Sequence, residues 1–271
     1  MVAAVIALRT AEVPVGGDVI LTLVVDEEYA SLGTEAVVKE YRANAAIVAE
    51  PTDLELGVAH KGFAWVSFET SGRAAHGSRY DQGIDAITAM GRILRELEIL
   101  ETRHLRNRRH PLLGRGSVHA GLIEGGDGLS TYPQHCRLQV ERRTLPVETG
   151  DGVGAEMREI VRRAGEGDAS FVGTAEVVFF RPGYEISPDA PIAAAVAEAA
   201  AGVLGRQPQA VGLAPWMDSA ILGNAGIPSV LFGPAGAGAH SRLEYVDLDS
   251  VVQCANVFAE VIVAYCRGTQ Q

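Results

Sequence analysis

Cysteine is scarce in this sequence, and the little there is forms no pattern. The three residues (Cys136, Cys254, Cys266) are odd in number and lack metal-ligand spacing. That excludes a disulfide framework and predicts reduced thiols in a cytoplasmic setting. Positive charge is also short: 23 Lys and Arg against 34 Asp and Glu leave a net charge of -11, which argues against nucleic acid as a partner. The cluster Arg103, Arg106, Arg108 and Arg109 is the exception, and it reads as a solvated loop face. No uninterrupted apolar run reaches the roughly 18 residues of a membrane span. Residues 1–8 are apolar but lack the basic start and cleavage site of a secretory signal. Internal repeats and low-complexity tracts are missing as well.

What remains is a 271-residue chain, 47% hydrophobic with 31 Gly, which suits one large or two modest α/β domains. The most telling stretch lies early. A β-branched apolar run at 18–25 predicts a buried strand and ends in Asp26, Glu27 and Glu28. Side chains alternate along a strand, so three adjacent acids at its exit cannot share one direction. A cation at the strand's C-terminal mouth would accommodate them, where open α/β sheets place ligands. A solvated acidic loop fits the triplet equally well.

The patterning predicts a helix over 1–10 without a cap, a helix over 33–43 and a short strand at 45–48 ending in Glu50-Pro51-Thr52. The rhythm then changes. Strand 63–71, helix 84–100, strands 117–123 and 136–142, helix 153–164 and strand 175–180 spell β-α-β-β-α-β, the split βαβ or ferredoxin-like order. After Arg181-Pro182-Gly183 the α/β pattern resumes with helix 190–204, segment 217–224, strand 229–232, a Gly-rich loop at 233–239 and a helix near 248–266. The expected organisation is an α/β domain of 1–60 and 183–271 that carries an inserted domain of 61–182, placed as a lid over a strand mouth.

Three pieces of the outer domain end in possible metal ligands: Glu27 and Glu28, then Glu50, then His240 after the Gly-rich loop. Carboxylate oxygen and imidazole nitrogen are ligands of hydrolytic zinc or cobalt sites. Such sites also need a free carboxylate as proton acceptor, and adjacent glutamates can divide the two tasks. Taken singly, Glu50 suits an acidic turn before proline and His240 a structural histidine.

Together, Asp26-Glu27-Glu28 with Ser31-Leu32-Gly33, Glu50-Pro51-Thr52, the segment Gly72 to Ser78 around His76, the segment Glu141 to Pro146 and the loop Gly233 to Ser241 stand in the order of the M20 metallopeptidase family, which the whole chain resembles. That group includes acetylornithine deacetylase, succinyl-diaminopimelate desuccinylase, aminoacylase and glutamate carboxypeptidase. The resemblance implies an α/β, phosphorylase/hydrolase-like metallopeptidase catalytic domain with an inserted ferredoxin-like α+β lid and dimerisation domain. It implies metal-dependent cleavage of the amide bond of an N-acyl amino acid or small peptide.

By the same resemblance Glu27 is the general base, Glu28 and His240 hold one zinc or cobalt ion, and Glu50 holds a second. His76 matches a histidine that reaches across a lid-to-lid homodimer to the oxyanion. Arg143 matches an arginine that grips a substrate carboxylate. Ser130, where many relatives carry Asn, and Gly236 fall on the substrate side, and Asp218 in Trp216-Met217-Asp218-Ser219 supports the metal shell. The family's upstream His-x-Asp and its bridging Asp have no match here. The resemblance therefore implies a catalytic domain lacking its N-terminal part. It leaves open a second expectation, an inactive chain that keeps a dimerising lid, and a third, a binding module built on that lid.

Overall fold

The computed structural model describes residues 1–267, and contacts divide the chain into two units. The first comprises 1–60, 184–213 and the chain from 217 onward; the second comprises 61–183 and 214–216.

The chain opens with helix α1 (Val2–Thr10), whose first turn has no side-chain cap. The stretch 18–25 is not a strand. It has no ladder partner, and Leu23 and Val25 are 77% and 71% exposed. Sequence preference for β structure is preference for a paired, half-buried surface, and without a neighbouring strand it goes unmet. A tight turn follows in which the amides of Tyr29, Ala30 and Ser31 all donate to the carbonyl of Asp26. Asp26 and Ser31 adopt left-handed backbone there, with φ of 67° and 59°. Helix α2 (Leu32–Glu40), strand β1 (Ala46–Val48) and strand β2 (Leu56–His60) come next.

The second unit begins with β3 (Gly62–Ser71), whose alternate residues are buried as the period-2 pattern requires. Helix α3 (Ala86–Ile99) is capped by Asp85, which accepts from the Thr88 amide at 2.9 Å. After a π-helical turn and a 3-10 turn, a small ribbon of β4 (Arg109–His110) and β5 (Gly114–Arg115) leads to β6 (Ser117–Gly125). Strand β7 (His135–Thr144), helix α4 (Gly150–Ala164) and strand β8 (Val172–Arg181) complete the unit. The four long strands form an antiparallel sheet in the order β6-β7-β3-β8, the ferredoxin-like arrangement. Val66, Phe68 and Leu138 of its strands pack with Met90 and Ile93 of α3 and Met157 of α4. Arg142 is fully buried in this unit. Its guanidinium reaches Glu148 at 2.5 Å and Glu156 at 3.1 Å, which meets the requirement that a buried charge be paired.

The first unit resumes with β9 (Tyr184–Glu185), α5 (Pro191–Leu204) and β10 (Ala210–Leu213). Helix α6 (Ser219–Asn224), β11 (Ser229–Leu231), a small hairpin of β12 (Gly236–Ala237) and β13 (Tyr245–Val246), and α7 (Leu248–Arg267) follow. The sheet order is β1-β11-β2-β10, with β9 also on β2. Sequence patterning passed over β2, β9 and β10, and β12 lies inside the stretch read as a plain Gly-rich loop. β2 is buried along its whole length beneath α5 and α7, so it shows no alternation to read. By length and composition α7 could cross a membrane, although Asp249 and Glu260 interrupt it. Its Cys254, Val257, Phe258 and Val261 belong to the core of this unit.

Candidate functional site

The acid-rich turn after 18–25 sorts its three carboxylates by use. Asp26 serves the turn itself, its Oδ2 accepting from the Leu32 amide at 3.3 Å. Ser31 donates its hydroxyl to the Glu27 carbonyl at 3.3 Å and so fixes the backbone of the next acid. Glu27 is left half-buried and Glu28 exposed.

His240 rides on the β12–β13 hairpin, where its own φ is 60°. Gly238 allows the loop to close: a Cβ there would sit 1.9 Å from the Leu243 carbonyl oxygen, and φ is 83°. The hairpin brings His240 Nε2 to 3.2 Å from Glu28 Oε2. Two ligands of one tetrahedral zinc, each about 2.1 Å from it, stand roughly 3.4 Å apart, so this separation suits a shared ion. The amide of Gly236 donates to Asp53 Oδ1 at 3.4 Å, tying the hairpin to the turn after Glu50.

Glu50 leaves β1 against the same loop. Thr52 Oγ1 accepts from the Gly233 amide at 3.1 Å, and the Leu54 amide donates to the Gly233 carbonyl at 3.0 Å. A Cβ at Gly233 would lie 2.0 Å from the Glu50 carbonyl oxygen, so only glycine permits this approach.

Asp218, at the start of α6, is only 4% exposed. Its Oδ2 accepts from the Thr34 hydroxyl at 2.5 Å, and its Oδ1 is buried without a hydrogen-bond partner.

These acids share one field. Burial pushes the Glu50 carboxyl up to about 7, with the negative charges of Glu27, Asp218 and Glu28 adding to the effect. Glu27 is raised by burial first, then by Asp218 and Glu28, and His240 offsets part of this. The first unit therefore gathers carboxylates with too little positive charge among them, which fits a divalent cation in donor chemistry. The set is not closed. Among the described residues, no three His, Cys, Asp or Glu side chains are grouped as a metal ion requires.

Other predicted residues meet in the second unit. His76 forms a β-bridge with Thr131, and the Gly77 amide donates to the Ser130 carbonyl at 2.7 Å, which sets His76 beside Ser130. His76 Nδ1 accepts from the Ser78 amide at 3.2 Å and lies 2.8 Å from the Ser78 hydroxyl. With Nδ1 as acceptor, the neutral imidazole carries its proton on Nε2 and offers an N–H donor. Arg143 on β7 is held by Glu141 at 2.7 Å and lies over the Phe63 ring, 5.3 Å from its centroid. The tie between Thr34 and Asp218 escaped sequence reading. Thr34 occupies an ordinary helix position and carries no motif signal.

Comparison with known proteins agrees with this picture. The family model described as Peptidase family M20/M25/M40 matches residues 1–264. An acetylornithine deacetylase of Myxococcus xanthus is 31% identical over 92% of this chain and 65% of its own length. The N-formyl-4-amino-5-aminomethyl-2-methylpyrimidine deformylase of Bacillus subtilis is 27% identical over 97% of this chain and 68% of its own. Among solved structures, aminopeptidase PepT of Bacillus cereus superposes with a TM-score of 0.78 at 20% identity, over 96% of this chain and 67% of that one. The YXEP protein of Bacillus subtilis, a dinuclear metal-binding peptidase of the M20 family, gives 0.74 at 19%, over 98% and 70%. The chain thus spans about two thirds of the length of these relatives. With a match running from its first residue almost to its last and the same fold in the solved relatives, the chain belongs to peptidase family M20/M25/M40.

Proposed function

We propose that this chain carries the chemistry of a metal-dependent hydrolase of linear amides, acting on N-acyl amino acids or small peptides as an acetylornithine deacetylase does. The observation that carries the reading is the pair Glu28–His240 at 3.2 Å, with the half-buried Glu27 next in sequence.

In this reading Glu28 and His240 hold one zinc or cobalt ion and Glu50 contributes to a second. A divalent ion there would supply Lewis acidity toward the acyl carbonyl and make water more acidic. Glu27 accepts a proton from the attacking water and delivers it to the amine nitrogen as the C–N bond breaks. The products are a carboxylate and an amine. The raised proton affinity of Glu27 suits both halves of that transfer at neutral pH. His76, with its proton on Nε2, is a donor for the oxyanion, a contribution of about 3 kcal/mol in a dry site. As the family resemblance has it, it acts across a homodimer built by the second unit. Arg143, held planar by Glu141, offers its remaining N–H groups to a substrate carboxylate. Ser130 and Gly236 complete the substrate side.

The test is turnover of acetylornithine and a panel of N-acyl amino acids with added zinc or cobalt. Turnover that Glu27→Gln abolishes supports the reading, and turnover unaffected by that change refutes it. One observation favours a second reading, that this chain binds without catalysing: no three donors are grouped among the described residues, where catalytic zinc sites use three protein ligands. That reading predicts self-association with no hydrolysis at any metal concentration.

A further inference from the structure

Asp218 is the most deeply buried acid of the first unit, yet half of its carboxylate has nothing to bond. At 4% exposure, Oδ2 takes the Thr34 hydroxyl at 2.5 Å while Oδ1 has no partner. An unpaired buried carboxylate oxygen costs free energy, and folds retain such groups where they serve something else. Thr34 is itself 4% exposed and lies in the first turn of α2. That helix begins immediately after the turn bearing Glu27 and Glu28, whose backbone Ser31 fixes by its bond to the Glu27 carbonyl. Gly33 closes the same turn, its amide donating to the Val25 carbonyl at 3.2 Å. No side chain can be added at Gly33, since a Cβ would stand 2.6 Å from the Val25 nitrogen. The 2.5 Å bond therefore runs from α6 to the root of the segment that presents both glutamates.

We propose that Asp218 is a positioning residue of the cation centre: through Thr34 it anchors the Glu27–Glu28 turn, and its buried charge makes the centre favour a cation. The inference rests on the metal-centred reading above and assigns to that site an element no motif marks. Its charge reaches the same acids, for Asp218 is among the causes that raise Glu27 and Glu50. An outer carboxylate of this kind typically governs metal affinity by roughly 10–100-fold without touching the ion.

The experiment is Co²⁺ titration of the full chain by visible absorption, with thermal melting of the metal-free protein alongside. Asp218→Asn and Thr34→Val are expected to weaken Co²⁺ binding by roughly 10–100-fold and to alter its d–d bands. Thr34→Ser, which keeps the hydroxyl, is expected to restore both. Removing the unpaired charge should leave the metal-free Asp218→Asn protein melting at or above wild type, the opposite of what a purely structural bond predicts. Thr70→Val removes a buried hydroxyl bonded to the Ala86 carbonyl at 2.8 Å in the second unit, and it should not change the spectrum. If wild type binds Co²⁺ and Asp218→Asn matches it in affinity and bands, the role of Asp218 is overturned while the metal reading stands. If wild type takes up no Co²⁺, the metal reading falls and takes this inference with it.

Discussion

Glu28 Oε2 lies 3.2 Å from His240 Nε2, joining the turn after an apolar run to the tip of a distant hairpin. Their side chains are 74% and 73% exposed, so the contact owes little to burial. An exposed ion pair contributes at most about 1 kcal/mol. Its significance is geometric, two donors of different chemistry held at the spacing one ion needs.

The first prediction separates that role from stability. Glu28→Ala and His240→Ala should each leave the metal-free protein within about 0.5 kcal/mol of wild type in chemical denaturation. Each should lower zinc or cobalt affinity sharply in calorimetric titration. A large loss of stability with unchanged affinity would make the pair a structural contact.

The pH dependence of the metal-free protein follows from Glu50. Its carboxyl is raised to about 7 in the fold from 4.5. Between those values the folded chain binds more protons than the unfolded one, so stability falls as pH rises across the window. The full effect is bounded at roughly 3 kcal/mol, and Glu27 shifts in the same direction. Melting temperature should therefore drop from pH 5 to pH 7.5, Glu50→Gln should flatten the drop, and divalent cation should reverse it. A rise over that range, unchanged in Glu50→Gln, would contradict the placement of Glu50 among these acids.

Gly233→Ala tests the seat of Glu50. The added methyl would meet the Glu50 carbonyl oxygen at 2.0 Å, so backbone must move at a cost of about 1–3 kcal/mol. Both stability and metal affinity should fall together. Retention of wild-type affinity would show that the Gly233 loop does not set the position of Glu50.

In the second unit, Arg142→Met should cost about 3–5 kcal/mol in urea denaturation, because Glu148 and Glu156 lose the buried cation they share. A loss below about 1 kcal/mol would mean that the network behaves as a solvated surface pair.

The two units differ in how far their sequences disclose them. The ferredoxin-like unit is legible because each strand alternates and each helix carries an apolar face, as Val66, Phe68, Met90 and Met157 show in its core. In the first unit the same rules misread 18–25 as a strand. Val25 and Leu23 have the right side chains, but a strand exists only with a ladder beside it. β2 was hidden for the opposite reason, burial on every side. At the site, Glu27, Glu28, Glu50 and His240 were legible as donor chemistry at loop ends. The spacing of Glu28 from His240, the burial that raises Glu50 and the bond from Thr34 to Asp218 depend on packing between segments far apart in sequence, which no local pattern records.

The central claim, that acids and an imidazole on separate loops converge on a divalent ion, is tested most directly by anomalous diffraction from crystals soaked in zinc or cobalt. The account predicts a strong peak within about 2.2 Å of both Glu28 Oε2 and His240 Nε2. A saturating soak that leaves those two side chains without a peak, or places the ion only elsewhere, would contradict it.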